Sequence, residues 1–279
     1  MSKMLKDSLI QAFTIVTGVA TVFTILGLSM KDAFPLEATK NIVIAVMVRL
    51  FIVLGVFCVL TMVAVLAKKI KYKESIELRI FKNKVKVEYG DIFEKDGWRV
   101  IGVDTTFSTV IDNIVISKLS LHGQLVLEHG DVDDINEAVK REATRRGIKE
   151  KRGVYSFPLG TAIPYEGKDG KYIMVALTEL NRDYESHTRL PQYEKTLLEM
   201  WKELSRVYAG NELVVPLLGT GITRFDDGRD DATILLRCML CTLNLAGIHF
   251  NSRIRIVLFP DTEIKSSLYE YKDIFKISK

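Results

Sequence analysis

Residues Val214 to Phe225 read VVPLLGTGITRF. A short run without charge, rich in Val and Leu, is how a strand buried on both faces reads. Gly219-Thr220-Gly221 ends it, because glycines punctuate regular structure. Asp230 and Asp231 then stand just before Ala232 to Ala246, where apolar residues recur three and four apart. The stretch therefore predicts a buried strand, a glycine loop and a helix capped by aspartate. Ligands of open α/β sheets sit outside the carboxyl ends of the strands. Glycines there allow close backbone approach and let several N–H groups converge on one anion. Two readings of the loop stand: a phosphate nest to which Arg224 adds charge, or an ordinary tight turn.

Outward from this segment, strand and helix signals alternate. Strands are expected at Ile76–Phe81 and Val85–Tyr89, around a turn at Asn83-Lys84, and at Trp98–Val103. Further strands are expected at Val154–Ile163, Tyr172–Leu177, Leu213–Leu218 and Ile254–Phe259. Helical spacing marks Asp133–Arg146, closed by Gly147, together with Tyr193–Tyr208 and a closing helix at Asp261–Phe275. Such alternation implies βαβ units and a mostly parallel or mixed sheet with helices on both faces. No repeat or low-complexity stretch interrupts it.

The first 73 residues are of another kind. Ser8 to Met30 is 23 residues without a charge, and Leu50 to Ala67 is 18 more, reaching back to Asn41 with only Arg49 between. A bilayer core of ~30 Å needs about 20 apolar helical residues, so both stretches qualify as spans. The first is too long for the apolar core of a signal peptide, and no clean small-x-small cleavage site follows. Lys3 and Lys6 precede the spans, and the denser cluster Lys68, Lys69, Lys71 and Lys73 follows them. Lys31 and Lys40 in the intervening loop stand beside Asp32 and Glu37. The basic bias places both termini on the cytoplasmic side. The expected organisation is thus a hairpin and basic junction over residues 1–73, then one cytoplasmic domain over 74–279. The junction KKIKYK reads as a stop-transfer signal and a contact for anionic lipid.

Within the first span Thr14, Thr17, Thr21 and Thr24 recur at spacings of 3, 4 and 3, which puts them on one helix face, extended by Gln11. Either the row faces another helix or a wetted interior, or its hydroxyls bond back to their own helix. Arg49 either snorkels to the outer interface or faces other chains. Two helices cannot enclose a pore, so self-association is the expected output.

Composition excludes several classes. The net charge is +4 and no basic stripe lies beyond the junction, which argues against nucleic acid. Cys238 and Cys241 form a C-x-x-C inside the apolar run LLRCMLCTLNLAG, without a second pair or a nearby histidine. No zinc site is expected. With Cys58 inside the second span, cysteine usage suits a reducing compartment.

Three other loops carry chemistry. Tyr89-Gly90-Asp91-Ile92-Phe93 ends a strand, and Asp91 is an acceptor-only carboxylate suited to an exocyclic amine, although G-D alone is a common turn signal. Gly102-Val103-Asp104-Thr105-Thr106-Phe107 follows the strand from Trp98. Leu121-His122-Gly123-Gln124-Leu125 places another glycine where the chain turns apolar. His122 by itself reads as a surface or capping histidine.

In this order the four segments resemble the macro domain. That family opens with a G-D-I motif whose aspartate contacts adenine, here Gly90-Asp91-Ile92. An asparagine-containing loop follows, matched by Asp104, Thr105, Thr106 and Phe107. A glycine-rich loop against the diphosphate is matched by His122, Gly123, Gln124 and Leu125. The P-x-x-S-T-G-I-x-x-F loop that closes over the distal ribose is matched by Pro216 through Gly219, Thr220, Gly221, Ile222, Thr223, Arg224 and Phe225. Phe157-Pro158-Leu159-Gly160-Thr161-Ala162 is similar to the family's central C-P-x-G-x-A strand. The resemblance covers roughly Lys84 to Pro260 and implies a three-layer α/β/α domain with a mixed sheet that binds an ADP-ribose-like nucleotide. Two departures stand out. The asparagine of the hydrolytic members has no counterpart, Asp104 being nearest, and the three-glycine loop is reduced to Gly123. Both favour a binder over a hydrolase.

A two-span hairpin joined to a divergent macro domain resembles the membrane-type ThsA effectors of Thoeris antiphage defence. That resemblance implies a partner TIR-domain enzyme that consumes NAD and makes an ADP-ribose-derived signal. It also implies a receptor cleft in the macro domain, homo-oligomerisation and damage to the cell membrane. No cofactor and no catalysis are expected. The rivals are a membrane-tethered ADP-ribosyl hydrolase, with Asp104 or His122 activating water, and a reader of ADP-ribosylated proteins.

Overall fold

The computed structural model describes residues 3–25, 42–111, 116–180, 186–221, 223–264 and 267–272. They divide into two compact units: Met1–Glu74 with Ser267–Tyr271, and Ser75–Ser266 with Lys272–Lys279.

In the first unit, α1 (Lys3–Ile25) packs against α2 (Ile42–Lys71). Met4, Ser8 and Ala12, spaced one turn apart, are buried, and the Ser8 hydroxyl accepts from Lys68 Nζ at 3.0 Å. A 3-10 turn at Leu268–Tyr271 joins this unit: Tyr269 donates its hydroxyl to Asp7 at 2.8 Å and lies 5.0 Å from the Tyr72 ring. Within Val46–Lys71 an 18-residue stretch reaches a mean hydropathy of 3.0, and among the described residues this is one helix long and apolar enough to cross a membrane. The expected first span, Ser8 to Met30, coincides with α1 only as far as Ile25 and then leaves the described residues. Thr14, Thr17 and Thr21 are exposed, and each hydroxyl donates to a carbonyl four residues back at 2.9 Å. The side chain of Thr24 lies outside the described residues. These three hydroxyls are thus satisfied within their own helix.

The second unit is built on a seven-stranded sheet. Its strands are β1 (Ser75–Ile80), β2 (Asn83–Tyr89), β3 (Trp98–Asp104), β4 (Ala162–Glu166), β5 (Lys171–Thr178), β7 (Leu213–Pro216) and β9 (Ile254–Leu258). They run in the order β1-β2-β9-β7-β3-β5-β4. The five inner strands are parallel, and hairpins add β1 and β4 antiparallel at the edges. β6 (His187–Thr188) and β8 (Arg224–Phe225) make a separate parallel pair. The sheet is mixed, as a macro-type domain requires.

Helices cover both faces. α3 (Leu121–Gln124) continues as a π-helical turn (Leu125–His129), followed by α4 (Val132–Arg146), α5 (Leu190–Val207) and α6 (Ala232–Ala246). Tyr172, Met174 and Ala176 share one core with Ile135, Ala138, Val139 and Ala143 of α4. The intervening Ile173 and Val175, also buried, point to the other face, where α5 and α6 pack on each other. Asp131 caps α4 by accepting from Asp133 N at 3.0 Å, and Gly147 closes it in the left-handed region at φ 67°.

Three expectations are corrected. The first hairpin turns at Phe81-Lys82, not Asn83-Lys84, because Asn83 is spent elsewhere: its side chain bonds the backbone of Ile248 and Phe250. Val154–Ile163 is a strand only at its end, where Ala162 and Ile163 open β4. Pro158 and Gly160 (φ 84°) break it, and its N–H groups bond one at a time, Phe157 to Thr105 O and Gly160 to Ala176 O. Of the closing helix at Asp261–Phe275, the described residues form only the 3-10 turn, the others lying outside them.

Candidate functional site

A cavity of about 620 Å³ lies across the carboxyl ends of β2, β9, β7, β3 and β5. That size lies within the range usual for small-molecule sites. The parallel register sets it, since every inner strand delivers its following loop to the same edge.

Each wall follows from local sequence. After β2, Asp91 lines the cavity while its Oδ1 accepts from Phe93 N at 2.9 Å, closing a tight Asx turn. After β3, the chain turns sharply: Phe107 N donates to Asp104 O, and Phe107 itself takes a left-handed φ of 52°. Asp104 is 6% exposed, and its Oδ1 accepts from both the N–H and the hydroxyl of Thr106. After β7, Gly219 adopts φ 88° and packs against Phe225, Tyr193 and Leu235. The Tyr193 hydroxyl holds this turn from behind, donating to Leu218 O at 2.7 Å. Among the described residues the N–H groups of Gly219 and Gly221 meet no acceptor. Both glycines line the cavity.

His122 forms part of the same wall and is 7% exposed. Burial holds its pKa down to about 4, against the opposing pull of Asp104 and of a bond to the Ser108 carbonyl. It is a neutral imidazole beside a carboxylate, and not the surface histidine expected. Ser120 Oγ caps α3 by accepting from Gly123 N at 3.0 Å. A Cβ on Gly123 would collide with the Ser117 carbonyl. Gly123 thus serves a backbone crossing and not ligand approach.

Of the residues singled out from sequence, Asp91, Ile92, Asp104, His122, Gln124, Gly219, Thr220, Gly221 and Thr223 line the cavity. Thr105, Thr106, Phe107, Gly123, Leu125, Arg224 and Phe225 do not. Phe107 and Leu125 belong to the core, Phe225 is buried against Tyr193, and Arg224 is exposed. Ile222 lies outside the described residues. Asp230 lines the cavity whereas Asp231 caps α6, accepting from Thr233 N at 2.8 Å. Sequence reasoning missed Ser186, Phe259, Asp261 and Glu263. Only the last three carried a signal, their place just after an apolar strand.

Cys238 and Cys241 lie on α6; burial and Glu194 push both thiols up, Cys238 to about 12, so both carry their proton at neutral pH. No group of metal-binding side chains occurs among the described residues.

A mixed sheet with this strand order, helices on both faces and a glycine loop at the centre of a strand-end cavity defines the macro-domain class. Residues 85–259 match the family described as Thoeris protein ThsA, Macro domain, and the chain belongs to that family. It is 27% identical over 240 residues to the Thoeris protein ThsA of Bacillus amyloliquefaciens (strain Y2), covering 82% of this chain and 80% of that one. Among solved structures it is similar to the Oceanobacillus iheyensis macrodomain with ADP (16% identity, 71% of this chain and 90% of that one, TM-score 0.43). It is also similar to the same macrodomain with MES bound (15%, 72% and 95%, TM-score 0.44).

Proposed function

We propose that the chain is a membrane-embedded effector whose macro domain is a receptor for an ADP-ribose-derived signal made by a TIR-domain enzyme. The observation that carries the reading is the arrangement of the cavity, with Asp91 at one end and the Gly219–Gly221 loop at its middle. No lysine or arginine is found among its described lining residues. A diphosphate there is held by backbone N–H groups at the glycine loop. The adenine lies at Asp91, whose second oxygen accepts from the exocyclic amine. The hairpin crosses the cell membrane twice, with both termini cytoplasmic, and ligand binding favours a self-associated state that disrupts the bilayer. A ligand acts this way only through unequal affinity for the two states.

Calorimetry on the full chain in lipid nanodiscs tests the receptor. Wild type is expected to bind ADP-ribose without turnover, and Asp91→Ala to lose about 1.5–3 kcal/mol through a missing charge-assisted hydrogen bond. Equal affinity in both proteins would move the adenine elsewhere.

One observation favours a second reading. The neutral His122 stands beside Asp104 on the cavity wall, where the imidazole could hold a water by accepting its hydrogen bond while the Asp104 carboxylate takes the proton. Release of free ADP-ribose from an ADP-ribosylated protein, lost in His122→Gln, would establish the hydrolase in place of the receptor.

A further inference from the structure

Ser186 lines the cavity and bridges Leu180, two residues beyond the end of β5. It is 5% exposed, and its Oγ has no hydrogen-bond partner among the described residues. Its backbone is fully engaged: it bridges Leu180, and its carbonyl accepts from Arg224 N at 2.8 Å. The position is therefore fixed while the hydroxyl is idle. A buried hydroxyl without a partner destabilises the fold that carries it. An idle group on the wall of a binding cavity is accounted for when the ligand completes it. Serine moves between staggered rotamers at small cost, so Oγ can turn to a polar group lying on this wall.

The strand order says which part of the ligand lies there. β2, which delivers Asp91, and β5, which precedes Ser186, are four strand spacings apart in the sheet, or about 19 Å. With adenine at Asp91 and the diphosphate at Gly219, the remaining ribose falls toward Asp104, Thr178 and Ser186. We propose that Ser186 is a specificity-determining contact whose hydroxyl hydrogen-bonds a hydroxyl of the adenine-distal ribose. The inference rests on the nucleotide reading above, and it distinguishes ADP-ribose from ADP, which ends at the diphosphate.

The test compares wild type and Ser186→Ala as full chains in nanodiscs, with ADP-ribose and ADP as the two probes. The expected result is a loss of about 3- to 10-fold in affinity for ADP-ribose and none for ADP. The melting temperature should not fall, because the variant removes an unpaired group. A merely structural role would lower the melting temperature and weaken both probes together, and that outcome overturns the inference. Unchanged affinity for ADP-ribose overturns it as well while leaving the nucleotide reading intact. Failure of wild type to bind either probe removes both.

Discussion

His122 is buried as a neutral base, and that fixes a pH dependence. Its pKa is about 4 in the folded protein against 6.5 for a free histidine. Above pH 6.5 neither state takes the proton. Between 6.5 and 4 the unfolded chain takes it and the folded one does not, so stability is lost as pH falls through this window. The full loss is about 3 kcal/mol. Both tryptophans, Trp98 and Trp201, lie in the α/β unit, so their fluorescence reports that unit alone. Denaturant unfolding at pH 7 and pH 4.5 should show a stability difference about 2–3 kcal/mol larger in wild type than in His122→Gln. Equal differences would mean that the imidazole is not the group responsible.

At the scale of elements, what could be read from sequence is what local chemistry decides. α4 was legible because Asp131 and Gly147 bracket it, and α6 because its apolar spacing follows an aspartate cap. Asn83 and the stretch from Val154 to Thr161 were misread because their hydrogen bonds go to segments far along the chain. The site divides the same way. Asp91 and the Gly219 loop announce themselves as glycine-containing ends of apolar strands, whereas Ser186 reaches the cavity only through the strand order. The threonine row carries the prediction at this scale. At ~100° per residue, Thr14, Thr17 and Thr21 lie opposite Met4, Ser8 and Ala12, the buried face of α1. Their hydroxyls are satisfied within the helix, so under the proposed self-association the row would act through its shape, as a close-approach surface for a second chain. Replacing Thr17 and Thr21 together with leucine should preserve membrane insertion and nucleotide binding but abolish ligand-triggered leakage. The double serine variant should retain it. Continued leakage from the double leucine protein would reduce the row to a tolerated feature of an anchor.

For the whole molecule, the proposed function makes one thermodynamic demand: a signal that acts through self-association would have to bind the self-associated state more tightly than the resting one. An enzyme would instead be judged by turnover, and a simple reader by its protein partner. The central claim is therefore tested in vesicles that carry the full chain and an entrapped dye. The account predicts dye release on adding the small-molecule products of a TIR-domain enzyme acting on NAD. It predicts none with untreated NAD, and none from Asp91→Ala with either addition. Release that ignores the products, or intact vesicles while the products are bound, would contradict it.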